Sequence, residues 1–248
     1  MPEIINGATI EVVSDYEALS QTAAQWVLSK IAQTPKASLL VPTGTTPEGL
    51  YALLAEQPAD TFEGVTFFNL DEYCEPDGEN GYRLLDREDD RSYRYYMTHH
   101  ILGSLPTIRS FFPEIENIDR PGSYDKLIEE NGGIDLVINS MGEDGHVFGF
   151  NIPGSASDSV TRLIQLNEST RAVNEGLTGT TIPTHAISTG IATGLAAREV
   201  ITILSGVRKA DILRRAVWDD ISTAIPATVL RQHPNHTFIV DEAAASKL

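Results

Sequence analysis

The sequence is poor in cysteine, in positive charge and in long apolar runs. Cys74 is its single cysteine, which excludes an intrachain disulfide and a cysteine-rich metal site. Lys and Arg number 18 against 35 Asp and Glu, a formal net charge of −17. Nucleic-acid binders draw much of their affinity from cations that neutralise phosphates, so this balance argues against that class and against docking on anionic lipid. No stretch approaches the roughly 18 consecutive apolar residues of a spanning helix. The start, Met1-Pro2-Glu3-Ile4-Ile5-Asn6, lacks the basic and apolar regions of a signal peptide. A cytoplasmic protein is the expectation.

What is present suffices for a folded core. Apolar residues make up 41% of the 248, a length that allows one large domain or two small ones. Residues 14–31 read as a helix: Ser14 and Glu17 have capping-box spacing, and Leu19, Ala23, Trp26, Val27 and Ile31 share a face. Short apolar runs read as buried strands at 37–41, 65–70, 134–138, 200–204 and 237–240. Helical stretches separate them at about 47–56, 92–102, 123–131 and 207–218. This alternation indicates an α/β fold: one three-layer domain over residues 1–248, with a mostly parallel sheet flanked by helices. Glu75 to Arg91 is rich in acidic residues and reads as a solvated loop or as a loop restricting access to a site.

Ligands of open parallel sheets bind beyond the carboxyl ends of the strands, so the residues at those ends are the candidates for chemistry. After the first buried strand comes Thr43-Gly44-Thr45-Thr46-Pro47, with Thr46 as N-cap and Pro47 at the first helical position. Such a turn offers N–H groups and hydroxyls to an anion, though an ordinary strand-to-helix turn reads the same way. After 200–204, Arg208 and Lys209 open a helix where cations oppose the dipole, a conflict that a bound anion or water would relieve. Asp71 and Glu72 follow the strand at 65–70. One carboxylate is a candidate general base and the other a partner elsewhere, with loop capping the plainer reading. Gly142-Glu143-Asp144-Gly145-His146 follows 134–138, and Asp144 can orient the His146 imidazole. No zinc-type histidine spacing, Walker loop, G-x-G-x-x-G or G-x-S-x-G occurs. An anion cradle, a carboxylate base and an oriented histidine fit proton transfer on a phosphorylated small molecule, with no cofactor.

These blocks resemble the signatures of glucosamine-6-phosphate deaminases. The match includes Thr43–Pro47, Asn69-Leu70-Asp71-Glu72-Tyr73, Gly142–His146 and Phe150-Asn151. Ser92-Tyr93, Tyr96-Met97, Thr170-Arg171, Gly206 with Lys209-Ala210, and Asp241-Glu242 follow in order. The Gly-x-Asp-Gly-His block is shared with 6-phosphogluconolactonases, which have a similar fold. The resemblance implies a metal-free conversion of glucosamine 6-phosphate and water to fructose 6-phosphate and ammonium. By position, Thr43, Gly44, Thr45, Thr46 and Lys209 would hold the phosphate. His146 with Asp144 would assist ring opening, and Asp71 would move a proton between C2 and C1.

Four departures from the family pattern stand out. Ile152 occupies the place of a family glutamate, and Gly176 that of a phosphate-binding arginine, for which Arg162, Arg171 and Arg208 are the candidate substitutes. One extra residue lies between His146 and Phe150, and the acidic 75–91 segment is longer than usual. The chain ends soon after Glu242, from which no strong effector control is expected. Residues 165–186, rich in Thr and Gly, read as a lid. The expected partner is a phosphosugar, with a homo-oligomer left open. Galactosamine 6-phosphate, a 6-phosphogluconolactone, an isomerase of related design and a non-catalytic sugar-phosphate sensor are the alternatives.

Overall fold

A computed structural model describes residues 2–79 and 81–248; Met1 and Asn80 lie outside the described residues, as do the side chains of Ser169, Leu177 and Thr178. The strands are β1 (Glu3–Ile5), β2 (Ala8–Val13), β3 (Ser38–Val41), β4 (Thr66–Asn69), β5 (Asp71–Asp77), β6 (Gly81–Leu84), β7 (Arg109–Phe111), β8 (Leu136–Asn139), β9 (Arg162–Gln165), β10 (His185–Ser188), β11 (Val200–Leu204) and β12 (His236–Asp241). The α-helices are α1 (Tyr16–Gln33), α2 (Glu48–Ala55), α3 (Tyr93–Met97), α4 (Glu116–Asp119), α5 (Ser123–Glu130), α6 (Glu168–Thr178), α7 (Ile191–Leu195), α8 (Ala210–Trp218) and α9 (Glu242–Ala245).

Eight strands form the central sheet in the order β1-β2-β12-β11-β8-β3-β4-β7. All neighbours run parallel except the β1–β2 hairpin. The strands are continuous apolar runs because both faces are covered. Alternate residues of each strand feed opposite cores, as the two-residue period requires. Leu39, Val41, Phe67, Leu136, Ile138, Ile201 and Ile203 face α1, α2 and the 97–101 segment through Leu19, Val27, Leu50, Met97 and Ile101. Leu40, Phe68, Val137, Val200, Leu204 and Phe238 face the other way, toward Tyr124, Ile128, Leu213, Val217 and Leu230. These are the three layers that the strand–helix alternation implied. Among the described residues, no helix is long and apolar enough to cross a membrane.

A second sheet does not follow from the apolar runs. It has the order β6-β5-β10-β9, all antiparallel, over a small core of Tyr73, Leu85, Phe150, Ile164, Leu166, Ile182 and Ala186. Part of the acidic segment is therefore the β5–β6 hairpin rather than loop. The segment read as a lid holds the end of β9, helix α6 and the start of β10.

Three local readings change. Asp15, not Ser14, caps α1: its Oδ1 accepts the Ala18 N–H at 2.9 Å, while the Ser14 hydroxyl bonds to Asp15. Thr46 does not cap α2. Pro47 stands at that position in right-handed helical geometry (φ −81°) and has no polar side-chain atom to cap with; the Tyr16 hydroxyl accepts the Gly49 N–H instead, at 2.9 Å. The helix read over 92–102 is α3 followed by a π-helical turn, Thr98–Leu102.

Candidate active site

The chain lays down β3 and β4 in one direction and then returns to place β8 on the other side of β3. That reversal opens a crevice at the carboxyl ends of β3 and β8, the usual ligand position in such sheets. A cavity of about 410 Å³ lies there. Its wall includes Thr43, Gly44, Thr45 and Thr46 after β3, Asp71 after β4, Asp144 and His146 after β8, and Lys209 after β11. All eight residues that the resemblance assigns to catalysis or phosphate binding line this one cavity.

The β3–α2 turn is built by tyrosines. Tyr51 donates to the Pro42 carbonyl at 2.5 Å, Tyr96 to the Gly44 carbonyl at 2.7 Å and Tyr16 to the Thr45 carbonyl at 3.1 Å. Three carbonyls of the turn are thus engaged, while none of the N–H groups at Thr43, Gly44, Thr45 and Thr46 has a protein acceptor among the described residues. Gly44 adopts φ +108°, a region open to glycine and costly for other residues. Successive free amides with one cation beside them make an anion site. The cation is Lys209, whose ammonium donates to the Met141 carbonyl and whose burial lowers its proton affinity. Asp241 shapes the turn that carries it, accepting from the Ser205 hydroxyl at 2.5 Å and the Gly206 N–H at 3.0 Å.

Asp71 and Glu72 diverge as β5 begins. Glu72 is fully buried and serves structure: its carboxylate accepts the Tyr93 N–H at 2.9 Å, the Arg94 N–H at 3.0 Å and the Ser92 hydroxyl at 3.0 Å, closing the start of α3. Asp71 lines the cavity at 5% exposure. Burial first, and the neighbouring Glu72 charge second, push its carboxyl well above the ordinary carboxylate range. Gly149 makes room for it: a Cβ there would lie 2.4 Å from the Ser188 Oγ and 2.8 Å from the Asp71 Oδ2, and the residue has φ +81°.

His146 and Asp144 form a directed pair, with Nδ1 2.7 Å from Oδ1. With the proton on Nδ1 and Asp144 accepting its hydrogen bond, Nε2 is left for a ligand. Thr170 on α6 donates to the other Asp144 oxygen at 2.9 Å. Burial raises the Asp144 carboxyl, but its bond to the His146 ring, the electrostatic pull of that ring, the His146 backbone N–H and the Thr170 hydroxyl together hold it well below the usual range. Ile152 lies outside this arrangement, packed against the aromatic core of the second sheet.

Sequence reasoning assigned no structural part to Thr170, although the Thr170-Arg171 block was a signal for it. Tyr93 and Asn174 were also missed as parts of the wall; both bond to the Tyr73 hydroxyl at 3.1 Å. Asn139 holds the extra-residue turn, its Oδ1 accepting the Phe148 N–H at 2.8 Å. Among the described residues, no group of three His, Cys, Asp or Glu side chains is placed to hold a metal ion.

Known proteins share this construction. Residues 14–239 match the family described as glucosamine-6-phosphate isomerases/6-phosphogluconolactonase. A glucosamine-6-phosphate deaminase of Rhodopirellula baltica is 39% identical over 254 residues, spanning 98% of this chain and 97% of that protein. One from Shouchella clausii is 36% identical over 246 residues, 94% of this chain and 95% of its own. A solved monomeric glucosamine-6-phosphate deaminase has a TM-score of 0.87 at 30% identity, covering 96% of this chain and 99% of that one. The 6-phosphogluconolactonase of Trypanosoma brucei shares the fold, with a TM-score of 0.76 at 20% identity over 97% of this chain and 98% of its own. With the match running over almost its entire length, the chain belongs to the glucosamine-6-phosphate isomerase/6-phosphogluconolactonase family.

Proposed function

We propose that the chain is a glucosamine-6-phosphate deaminase acting as a single α/β domain. The observation that carries this reading is the junction of three parts in one cavity: free amides with a lysine, a buried carboxylate of raised proton affinity, and a carboxylate-oriented imidazole. The amides of Thr43–Thr46 and the Lys209 ammonium would hold the phosphate, which fixes the sugar carbons relative to Asp71. His146 would shuttle the proton that opens the pyranose ring. Asp71 would take the C2 proton of the open chain while the C2 ammonium gives up one proton and the C1 oxygen gains one, giving an enolamine, and would then return its proton to C1. The resulting C2 iminium adds water and releases ammonium, leaving fructose 6-phosphate. Atoms balance with one water consumed. A raised carboxyl is the stronger base once ionised, which suits removal of a carbon-bound proton.

Ammonium release from glucosamine 6-phosphate and from its galacto epimer tests the reading, with 6-phosphogluconolactone hydrolysis measured in parallel. The expected result is ammonium from the gluco substrate. Asp71→Asn should lower turnover by about 10²–10⁴, the usual contribution of a positioned base. Lactone hydrolysis without ammonium release would overturn the assignment in favour of the lactonase reading. Saturable binding without turnover would favour a sensor.

A further inference from the structure

The charges on the cavity wall do not balance for the ligand proposed above. Asp71, Glu143 and Asp144 line it, while Lys209 is the sole lysine or arginine of the wall among the described residues. A phosphate monoester brings about −1.5 to −2 charge near pH 7. One ammonium, already bonded to the Met141 carbonyl, would face that dianion in the company of three carboxyl groups. A second cation is called for, and the arginines of the region can be told apart by their partners.

Arg162 is occupied structurally. It donates to the Asn151 Oδ1 at 3.0 Å, the Val160 carbonyl at 3.2 Å and the Ser155 hydroxyl at 3.2 Å. Arg171 pairs with Glu175 along α6 at 3.2 Å. None of the three arginines, Arg162, Arg171 or Arg208, belongs to the cavity wall itself. Arg208 is different in three respects. It precedes Lys209 directly in the chain. Its guanidinium meets Glu143, itself a wall residue, at 2.6 Å. Its side chain is 62% exposed, so nothing confines it to that contact.

We propose that Arg208 is a second phosphate-binding cation, held at the cavity rim by Glu143 and transferred to the phosphate when the ligand enters. The inference rests on the phosphosugar reading of the site. A solvent-exposed ion pair contributes little, so exchanging a carboxylate for a dianion costs little. The planar guanidinium fork matches two phosphate oxygens, which an ammonium cannot do. Glu143, 37% exposed, is left at the rim facing water rather than buried without a partner. Until then the pair also cancels one of the negative charges that an incoming phosphate meets.

The test is calorimetric binding of inorganic phosphate and of fructose 6-phosphate, the product, which is not turned over without ammonium, to the wild type, Arg208→Gln, Glu143→Gln and the double variant, with melting curves to verify folding. Arg208→Gln is expected to weaken both ligands at least about tenfold, the loss of a charge-assisted hydrogen bond. Glu143→Gln is expected to bind more tightly than the wild type, since Arg208 is released and a negative charge is gone. The double variant should remain at least about fivefold weaker than Glu143→Gln alone. A double variant that matches Glu143→Gln would overturn the proposal, because Arg208 would then act only by neutralising the carboxylate. Arg208→Gln binding within about twofold of the wild type would overturn it too. Phosphate binding that depends on Arg208 in a protein that releases no ammonium would sink the deaminase reading and leave this inference standing. Failure of the wild type to bind either ligand would overturn both.

Discussion

Asp71 shows how one residue carries opposed demands. Its carboxyl is raised, so the folded protein binds that proton more tightly than the unfolded chain does. As pH rises from the ordinary carboxylate pKa toward the raised value, ionisation therefore opposes folding. Asp71→Asn, besides losing activity, should raise Tm at pH 7, by about 2–4 °C for each kcal/mol relieved; scanning calorimetry reads it, and a lower Tm would contradict the burial argument. Activity runs with the opposite sign. The base must be ionised, so kcat/KM should fall with acid at a pH above the usual carboxylate range, and Asp71→Asn should erase that limb. Gly149→Ala makes a steric case: its Cβ would collide with Ser188 and Asp71 at a positive φ. Activity loss with destabilisation of more than about 1 kcal/mol is expected from denaturant unfolding.

At the scale of elements, the site depends on groups that stop or start helices. Glu72 and Ser92 satisfy the first amides of α3, and α3 leads into the Tyr96 that holds the Gly44 carbonyl. Glu72→Ala would strand these buried N–H groups, at about 1–3 kcal/mol apiece. The expected loss in urea denaturation should come with weaker phosphate binding, because the β3–α2 turn loses its brace. Helix α6 brings Thr170 to Asp144, and Thr170→Val should lower kcat more than it changes phosphate affinity. The strand and helix alternation of the central sheet was legible because buried parallel strands are continuous apolar runs. The second sheet was not: β5 begins in the Asp71-Glu72 pair and β6 lies in a charged segment, so neither shows an apolar run. Its strands are defined by antiparallel partners far away in sequence, such as Tyr73 opposite Ala186.

At the scale of the whole molecule, a net charge of −17 surrounds a cavity proposed to take a phosphosugar. Long-range repulsion of the substrate is screened by salt, with a Debye length of about 8 Å at physiological ionic strength. The rate constant kcat/KM for the phosphosugar should therefore rise between low and physiological sodium chloride. Stopped or falling rates would mean that the local field of Lys209 and the free amides outweighs the surface charge. The fold places the cavity at the sheet's carboxyl edge, where the turns after four parallel strands, β3, β4, β8 and β11, contribute much of its wall.

Residue types and their order along the chain already contained the chemistry: a glycine-threonine turn, an aspartate, an acid-Gly-His block and a lysine, each following a buried strand. Parallel strands put all their carboxyl ends on one edge, so strand order alone brings these groups near one another. Which of Asp71 and Glu72 faces the ligand, which carbonyls the tyrosines withdraw from the cradle, and which arginine is free to move were not readable there. Those choices are made by hydrogen bonds and ion pairs between residues tens of positions apart, such as Tyr96 with Gly44, Thr170 with Asp144 and Ser92 with Glu72. Such contacts exist only once the layers have packed.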